Sequence, residues 1–281
     1  MDFNPSNFGG NFCYTDLAGS TKGDSSNNSE NTEEPSIYGA FFGQSSFAST
    51  TIVTERSVVN VKGLVVNEDE LKLFAPLGCG IQTGSGTIVN VAEARETDSV
   101  VIVGLGGVGL SGIMGARIRG CKRIIGIDRV ASRLELAREL GATHVIDTSK
   151  LEKLEDVVQA VRDATDGLGA HVAMDTTGFL PLIKHAVEFT RQKGKIIQVG
   201  SAPFEAELEL PIFAFMVSGK QYIGAVEGDS RPEEYVPQMI RWYREGRFPV
   251  DKLVKVMKAE DWNQAIEEMH EGSTIKPVIT W

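Results

Sequence analysis

The residues with the most specific chemical pattern are a run of glycines that directly follows an uninterrupted apolar segment. Residues 100–109 read VVIVGLGGVG, and within them residues 104–109 have the spacing G-x-G-x-x-G. The first glycine of such a loop permits a tight turn, the second lets backbone approach a pyrophosphate, and the third permits close packing of a helix on a strand. The pyrophosphate would lie at the amino end of the following helix, where free N–H groups favour an anion. The loop therefore predicts a dinucleotide site with contacts from Gly104, Gly106, Gly107, Val108 and Gly109.

A second apolar run ends in an acidic residue, Asp128, nineteen residues after Gly109. This is close to the offset of about 20 residues at which a carboxylate hydrogen-bonds the adenosine ribose of NAD. Its charge would repel the 2′-phosphate of NADP, so the pattern favours NAD(H). NADP stays open as the less favoured alternative, because Arg129 or Arg133 could neutralise that phosphate. A solvated helix face explains Arg133 equally well.

The nucleophilic and metal-ligating residues are dispersed along the chain. Cys13, Cys79 and Cys121 have no CxxC spacing, which suits a reducing compartment, and none of the four histidines has a cysteine at ligand spacing. No Ser/His/Asp or Cys/His triad is readable, so the catalytic residues stay unknown. The segment DTTG at 175–178 follows another apolar run and could hydrogen-bond a cofactor.

The elements that would position these residues alternate between β and α periodicity. After residue 80, apolar runs at 100–103, 124–127, 145–146, 172–174 and 196–199 alternate with helical segments at 108–119, 132–140, 154–164 and 182–189. This order predicts an α/β fold, a doubly wound parallel-sheet Rossmann domain with helices on both faces. Two more helices at 234–244 and 259–270 and a strand at 276–280 are expected to follow.

The composition excludes several classes of protein. A formal net charge of −10 without any basic run argues against a nucleic-acid partner. The uncharged segment 99–116 contains six glycines, so we expect a strand, a turn and a helix start there rather than a membrane span. The first ten residues lack the pattern of a signal peptide, and a cytoplasmic protein is expected.

The segment before residue 80 has a different pattern. Residues 20–35 contain no large apolar side chain and are predicted to form a disordered loop. Between residues 36 and 67, short β-type runs at 51–53 and 57–61 predict part of a β-rich domain.

Several further strings resemble the medium-chain zinc-type alcohol dehydrogenase superfamily, and most closely its aryl-alcohol (benzyl-alcohol) dehydrogenases. They are NFGG at 7–10, FGQSSF at 42–47, PLGCGIQTG at 76–84, EGDS at 227–230, GRFP at 246–249 and IKPV at 275–278. The resemblance implies a GroES-like β-rich catalytic domain interrupted by a Rossmann domain. We therefore expect a partial GroES-like catalytic domain at 1–80, an NAD-binding domain at 81–226 and a segment returning to the catalytic domain at 227–281.

The resemblance also implies an activity and further site residues. Members of the branch oxidise a primary, aromatic alcohol to the aldehyde with NAD and a catalytic zinc, or run in reverse, and they form homodimers. An apolar stretch at 211–225 resembles the family's dimerisation edge. By resemblance, Asp128 and Arg133 are adenosine-ribose contacts, Lys276 a pyrophosphate contact and Cys79 the last of three zinc ligands, while the nicotinamide-side lining is Thr177, Val199 and Ser201.

The remaining zinc ligands of the family, a Cys and a Gly-His-Glu histidine, lie upstream of the position that matches Met1. An N-terminally truncated chain is therefore expected. A catalytic zinc takes three protein ligands, so Cys79 alone leaves zinc binding and turnover open. Without those partners we expect Cys79 to be a small buried thiol in a Gly-rich turn. Two alternatives remain: a non-catalytic dinucleotide-binding and dimerising remnant, or a zinc-independent reductase of the same superfamily.

Overall fold

A computed structural model describes residues 12–13, 38–40, 49–53 and 55–281. The predictions for residues 7–10, 20–35 and 42–47 lie outside these described residues. Contacts divide the chain into two compact units, one of Met1–Val58 with Trp281 and one of Val59–Thr280. In the first unit, β1 (Phe12–Cys13) pairs antiparallel with β2 (Tyr38–Ala40).

The β-type runs predicted at 51–53 and 57–61 are not strands. Residues 51–53 have no regular secondary structure, and a 3-10 turn is formed by Glu55–Ser57. Just after this stretch, Lys62 and Val65 form an isolated β-bridge. The prediction was wrong for this stretch because β propensity makes a strand only where a neighbouring strand completes the hydrogen bonds.

A short helical segment lies near the start of the second unit. Helix α1 (Glu68–Phe74) begins at Asn67, whose Oδ1 accepts a hydrogen bond of 2.9 Å from the backbone N–H of Glu70. Such a cap satisfies one of the free N–H groups of a helix start. A 3-10 turn, Ala75–Gly78, and helix α2 (Gly80–Gly86) follow, and a π-turn, Thr87–Val91, ends the segment.

The centre of this unit is a six-stranded parallel sheet in the order β5-β4-β3-β6-β7-β8. Its strands are β3 (Ser99–Val103), β4 (Arg123–Asp128), β5 (His144–Asp147), β6 (Ala170–Asp175), β7 (Thr190–Gln198) and β8 (Gln221–Gly224). The connecting helices are α3 (Gly107–Ile118), α4 (Ala131–Leu140), α5 (Asp156–Asp163), α6 (Leu180–Phe189) and α7 (Ile212–Ser218). The predicted doubly wound fold is confirmed, as is the strand, turn and helix start in segment 99–116.

Apolar side chains cover both faces of the sheet. In β3, Val100 and Ile102 belong to one buried cluster, whereas Val101 and Val103 belong to the other. Because successive side chains of a strand point to opposite faces, an uninterrupted apolar run is what a strand covered on both sides requires. The sheet is therefore a rigid support for the loops at its carboxyl edge.

The chain ends in two helices and a two-stranded parallel ladder. Helix α8 (Pro232–Arg244) and helix α9 (Trp262–Glu271) match the predicted helices, and β10 (Lys276–Thr280) matches the predicted strand. Its partner, β9 (Val254–Lys258), was not predicted. Within the described part of the chain, none of the helices combines the length and apolar character needed to cross a membrane.

Candidate functional site

The glycine loop lies at the carboxyl end of β3, in the middle of the sheet. Gly104 has φ +87°, a left-handed conformation that glycine adopts without strain, and its N–H donates to the carbonyl of Ile127 over 2.8 Å. A Cβ on Gly109 would lie 1.8 Å from the carbonyl oxygen of Gly104, so only glycine permits this contact of helix and strand. A Cβ on Gly106 would meet no atom within 4 Å. The loop therefore combines a tight turn, close packing and an open backbone surface at Gly106.

The carboxylate of Asp128 ties the end of β4 to this loop. Its Oδ2 accepts a hydrogen bond of 2.7 Å from the backbone N–H of Leu105. Its Oδ1 accepts from the N–H groups of Arg129 and Val130 at 2.7 and 2.9 Å. An ionised carboxylate offers about four acceptor positions, so three are used and one remains. Asp128 therefore orients the loop and keeps limited capacity to accept from a ligand.

Lys276 approaches the loop from the C-terminal strand, whereas Arg133, in the helix after β4, contacts the end of α9. The Nη2 atom of Arg133 donates to the carbonyl of Met269 over 3.0 Å, and its buried Nε has no partner among the described residues. Arg133 therefore packs on the end of α9, and the alternative that it belongs only to a solvated helix face does not describe its contacts. Lys276 lies over the loop, with its Cδ 3.9 Å from the position of a Cβ on Gly107.

The loops after β6 and β7 meet beside Gly104. The methyl group of Thr177 lies 2.7 Å from the position of a Cβ on Gly104. Gly178 approaches the carbonyl of Ser201 so closely that a Cβ on Gly178 would lie 2.1 Å from it, and the N–H of Val199 donates to the carbonyl of Asp175 over 3.0 Å. The structure thus brings Thr177, Val199 and Ser201 together at the same edge as the glycine loop.

Asp175 holds these two loops together from inside the protein. Its side chain is fully buried, with Oδ1 accepting from Thr177 Oγ1 at 2.7 Å. Oδ2 accepts from the N–H of Gly178 at 2.9 Å and from Gln198 Nε2 at 2.7 Å. The Asp175 carboxylate is therefore committed to protein contacts, and the prediction that segment 175–178 hydrogen-bonds a cofactor now depends on the other residues of the segment.

Cys79 lies directly before α2 and is exposed, so the expectation of a buried thiol was wrong. The turn packs Leu77 and Ile81 into the core and leaves the cysteine between them at the surface. Partial desolvation, and after it the negative charge of Glu227, raises the pKa of the Cys79 thiol, while the positive charge of Lys276 opposes this shift. The thiol is therefore protonated near neutral pH.

Cys121 is buried as expected. Desolvation raises the pKa of its thiol to about 11, and Sγ lies 3.3 Å from the carbonyl oxygen of Arg95. His171, at the opposite edge of the sheet from the glycine loop, accepts a hydrogen bond from the N–H of Ser99 over 3.0 Å. The protein contacts of Cys121 and His171 therefore support structural roles for both residues.

A carboxylate that sequence reasoning left without a role, Glu227, lies beside the start of α2. Its Oε2 accepts from Gln82 Nε2 at 2.8 Å and from Thr83 Oγ1 at 3.4 Å. The string that contains Glu227 was visible in the sequence as a family match. Its contact with α2 was not, because the two segments are 145 positions apart.

The described residues around Cys79 do not make a zinc site by themselves. In residues 49–53 and 55–281, no group of three or more His, Cys, Asp and Glu side chains is arranged to hold a metal ion. The charged groups that act on Cys79 are one carboxylate and one ammonium. Since a catalytic zinc takes three protein ligands, Cys79 and its described neighbours leave the coordination of such an ion incomplete.

A protein-family profile described as zinc-binding dehydrogenase matches residues 107–245. The chain is 36% identical over 245 residues to a geraniol dehydrogenase of Castellaniella defragrans, an alignment that covers 87% of this chain and 64% of the relative. The chain belongs to the zinc-binding dehydrogenases. This zinc-binding dehydrogenase thus spans less than two thirds of the length of that relative.

Solved structures agree with this assignment. A benzyl alcohol dehydrogenase from Acinetobacter calcoaceticus superposes with a TM-score of 0.78 at 37% identity, covering 85% of this chain and 64% of the other. An alcohol dehydrogenase zinc-binding domain protein from Burkholderia ambifaria gives a TM-score of 0.79 at 37% identity, with 89% and 65% covered. The resemblance to the aryl-alcohol branch is therefore confirmed at the level of family and fold.

Proposed function

We propose that this chain is the cofactor-binding part of an NAD-dependent alcohol dehydrogenase-type oxidoreductase that acts on a primary, aromatic alcohol. The observation that carries the proposal is the open backbone at Gly106, held between the turn at Gly104 and the carboxylate of Asp128. An open glycine at the start of α3 offers a pyrophosphate free N–H groups and no steric obstacle.

The other residues of the site fit the same cofactor. We assign the pyrophosphate to Gly104, Gly106, Gly107, Val108, Gly109 and Lys276. The adenosine ribose is assigned to Asp128 and Arg133, and the nicotinamide side to Thr177, Val199 and Ser201. The charge of Asp128 supports NAD over NADP, because it would lie beside a 2′-phosphate. The proposal also includes the domain boundaries at residues 80 and 226 and the association of two copies into a homodimer.

Bound NAD+ supplies the hydride acceptor, so that the alcohol loses a hydride to the nicotinamide and a proton to a base or solvent. The residues of this chain contribute orientation: the loops around Gly104 and Gly178 fix the nicotinamide side against the sheet. Deprotonation of the alcohol requires a base, and a Lewis acid would lower the pKa of the hydroxyl; Cys79 would supply one ligand of a zinc in that role.

The relatives support the substrate class. Two of the matched proteins are named geraniol dehydrogenase and benzyl alcohol dehydrogenase, after primary alcohols of which the second is aromatic. The alternative of a non-catalytic dinucleotide-binding module rests on Cys79 being the single family zinc ligand recognised in the sequence.

Turnover and zinc content of the 281-residue chain test whether groups of this chain complete a zinc site around Cys79. We expect less than one equivalent of zinc after dialysis and no oxidation of benzyl alcohol with NAD+ above background, because one cysteine does not complete a three-residue site. Elemental analysis and NADH absorbance at neutral to alkaline pH provide the measurement, with Cys79→Ser as the matched variant.

A chimaera that joins the N-terminal segment of the benzyl alcohol dehydrogenase to this chain is expected to oxidise benzyl alcohol and to lose that activity on Cys79→Ser. Stoichiometric zinc and Cys79-dependent turnover in the 281-residue chain itself would show that other groups complete the site. A chimaera that holds zinc, binds NADH and still fails to oxidise any primary alcohol would contradict the proposed activity.

A further inference from the structure

The turn after the edge strand β8 holds a carboxylate in an unusual backbone. Glu227, Gly228 and Asp229 have φ values of +53°, +63° and +47°, so two non-glycine residues adopt the left-handed region within three positions. Such residues persist only where their surroundings hold them, and they cluster at functional sites. In this turn the Nδ2 of Asn90 donates to the carbonyl of Gly228 over 3.0 Å, and a Cβ on Gly228 would lie 2.7 Å from the backbone nitrogen of Thr87.

The Glu227 carboxylate is oriented without being neutralised. Two of its hydrogen-bond donors, the Gln82 amide and the Thr83 hydroxyl, are uncharged and almost fully buried, with 1% and 8% exposure. The Cys79 thiol also donates a hydrogen bond to this carboxylate. Glu227 forms no ion pair among the described residues, although the positive charge of Lys276 acts on the same Cys79 thiol, and Glu227 itself is half-buried. A partly desolvated, unpaired negative charge acts more strongly on its neighbours than one in bulk water.

The order of strands fixes which end of a bound dinucleotide would face this charge. Asp128 ends β4, on one side of β3, whereas β6, β7 and β8 lie on the other side. A dinucleotide that crosses the loop at the end of β3 with its adenosine at Asp128 therefore directs its nicotinamide toward the ends of β6 to β8. The N–H of Ala225 donates to the carbonyl of Gln198 over 3.0 Å, which keeps the turn at 227–229 at this edge.

Helix α2 brings Glu227 close to the glycine loop. A Cβ on Gly84 would lie 1.8 Å from the carbonyl oxygen of Val108, and a Cβ on Gly80 would lie 3.5 Å from Cγ2 of Val108. Gln82 and Thr83, which hold Glu227, are in the turn of α2 between these two glycines. The carboxylate is therefore next to the first turn of α3 on its nicotinamide side.

We propose that Glu227 determines the preference of the site between the two redox states of the cofactor, favouring the cationic nicotinamide of NAD+ over the neutral ring of NADH. The proposal rests on the proposed function, since it requires a dinucleotide on the glycine loop. NAD+ and NADH differ only in the nicotinamide ring. A charged side chain beside that ring therefore changes the ratio of their affinities and leaves the contacts that both cofactors share unchanged. A site that stabilises the oxidised cofactor shifts the equilibrium between the bound species toward NAD+ and alcohol, while its affinity for NADH stays unchanged.

Titration calorimetry with NAD+, NADH and ADP-ribose tests this assignment in the 281-residue chain. In Glu227→Gln, the Kd for NAD+ is expected to rise roughly three- to tenfold, as for one unit charge at about 7 Å and intermediate dielectric. The Kd for NADH and for ADP-ribose, which lacks the nicotinamide, should stay within about twofold. The matched control is Asp229→Asn, which removes the same charge from an exposed position of the same turn and should change none of the three.

Equal weakening of NAD+ and NADH, or weaker ADP-ribose binding, would assign Glu227 a structural role and overturn the proposal. A wild type that binds none of the three ligands would instead overturn the proposed function. Should circular dichroism show that Glu227→Gln does not fold, the wild type supplies the test, because rising salt must then reduce the affinity for NAD+ more than that for NADH. An unchanged ratio across salt concentrations would reject the role of Glu227.

Discussion

At the scale of single residues, Asp128 has two roles, and the sequence pattern predicted only one of them, the contact with the adenosine ribose. Three backbone N–H groups bind its carboxylate, so the residue positions the glycine loop as well as facing the adenosine side of the proposed site. Substitution by alanine would leave those N–H groups without an acceptor. Substitution by asparagine keeps one oxygen and removes the charge, which makes it the more informative change.

Asp128→Asn is expected to weaken NADH binding by roughly tenfold, the scale of one charged hydrogen bond, and to strengthen NADPH binding because the repulsion of the 2′-phosphate is lost. Fluorescence titration with both cofactors measures the change. Asp147→Asn is the control, since Asp147 ends the neighbouring strand β5 and binds Ser149. An unchanged ratio of NADH to NADPH affinity in Asp128→Asn would show that Asp128 does not select the cofactor.

At the scale of elements, the junction of β3 and α3 depends on two glycines for different reasons. Gly109→Ala would place a methyl group against the carbonyl of Gly104, which we expect to lower the free energy of unfolding by about 2 kcal/mol or more. Gly106 has φ −78° and ψ −167° and open space beside it, so Gly106→Ala should leave stability within about 0.5 kcal/mol.

The same pair separates stability from binding. Gly106→Ala should weaken NADH by roughly tenfold or more, because its methyl group occupies the space assigned to the pyrophosphate, and tenfold corresponds to about 1.4 kcal/mol. Thermal unfolding and calorimetry on both variants measure the two effects. If Gly106→Ala kept full affinity for NADH, the assignment of the pyrophosphate to this loop would be wrong.

The elements of the sheet were predictable because buried parallel strands are continuous apolar runs, as in β3, and because the glycine spacing marks the loop. Strand β9 was missed since Lys255 and Lys258 interrupt its apolar pattern and most of its residues face solvent. The exposure of Cys79 and the role of Glu227 depend on contacts between segments far apart in sequence. Local patterns carry no information about such contacts.

At the scale of the whole molecule, the edge of the sheet at β8 is apolar, and none of the residues that the structure describes covers it. Helix α7 exposes Ile212, Phe213, Met216 and Val217 by 62–80%, and β8 is an edge strand. An exposed apolar patch beside an unpaired strand favours association with a second copy. This is the stretch that the resemblance assigns to dimerisation.

Light scattering is expected to show a dimer at micromolar concentration and a shift toward monomer in Phe213→Asp, because a charge at the centre of the patch opposes its burial. Leu168→Asp is the matched control, since Leu168 is also exposed and apolar but belongs to the connection between α5 and β6. A wild-type monomer, or a dimer indifferent to Phe213→Asp, would mean that this edge is not the interface.

The proposed function depends on a dinucleotide binding at the glycine loop. Calorimetric titration of the purified 281-residue chain with NADH and NADPH tests this binding most directly. Gly104, Gly106, Asp128 and Lys276 are all present and positioned around one loop, so we expect saturable binding of NADH at one site per chain, tighter than that of NADPH. Absence of NADH binding up to millimolar concentration would contradict the cofactor site. Tighter binding of NADPH would contradict the selectivity attributed to Asp128.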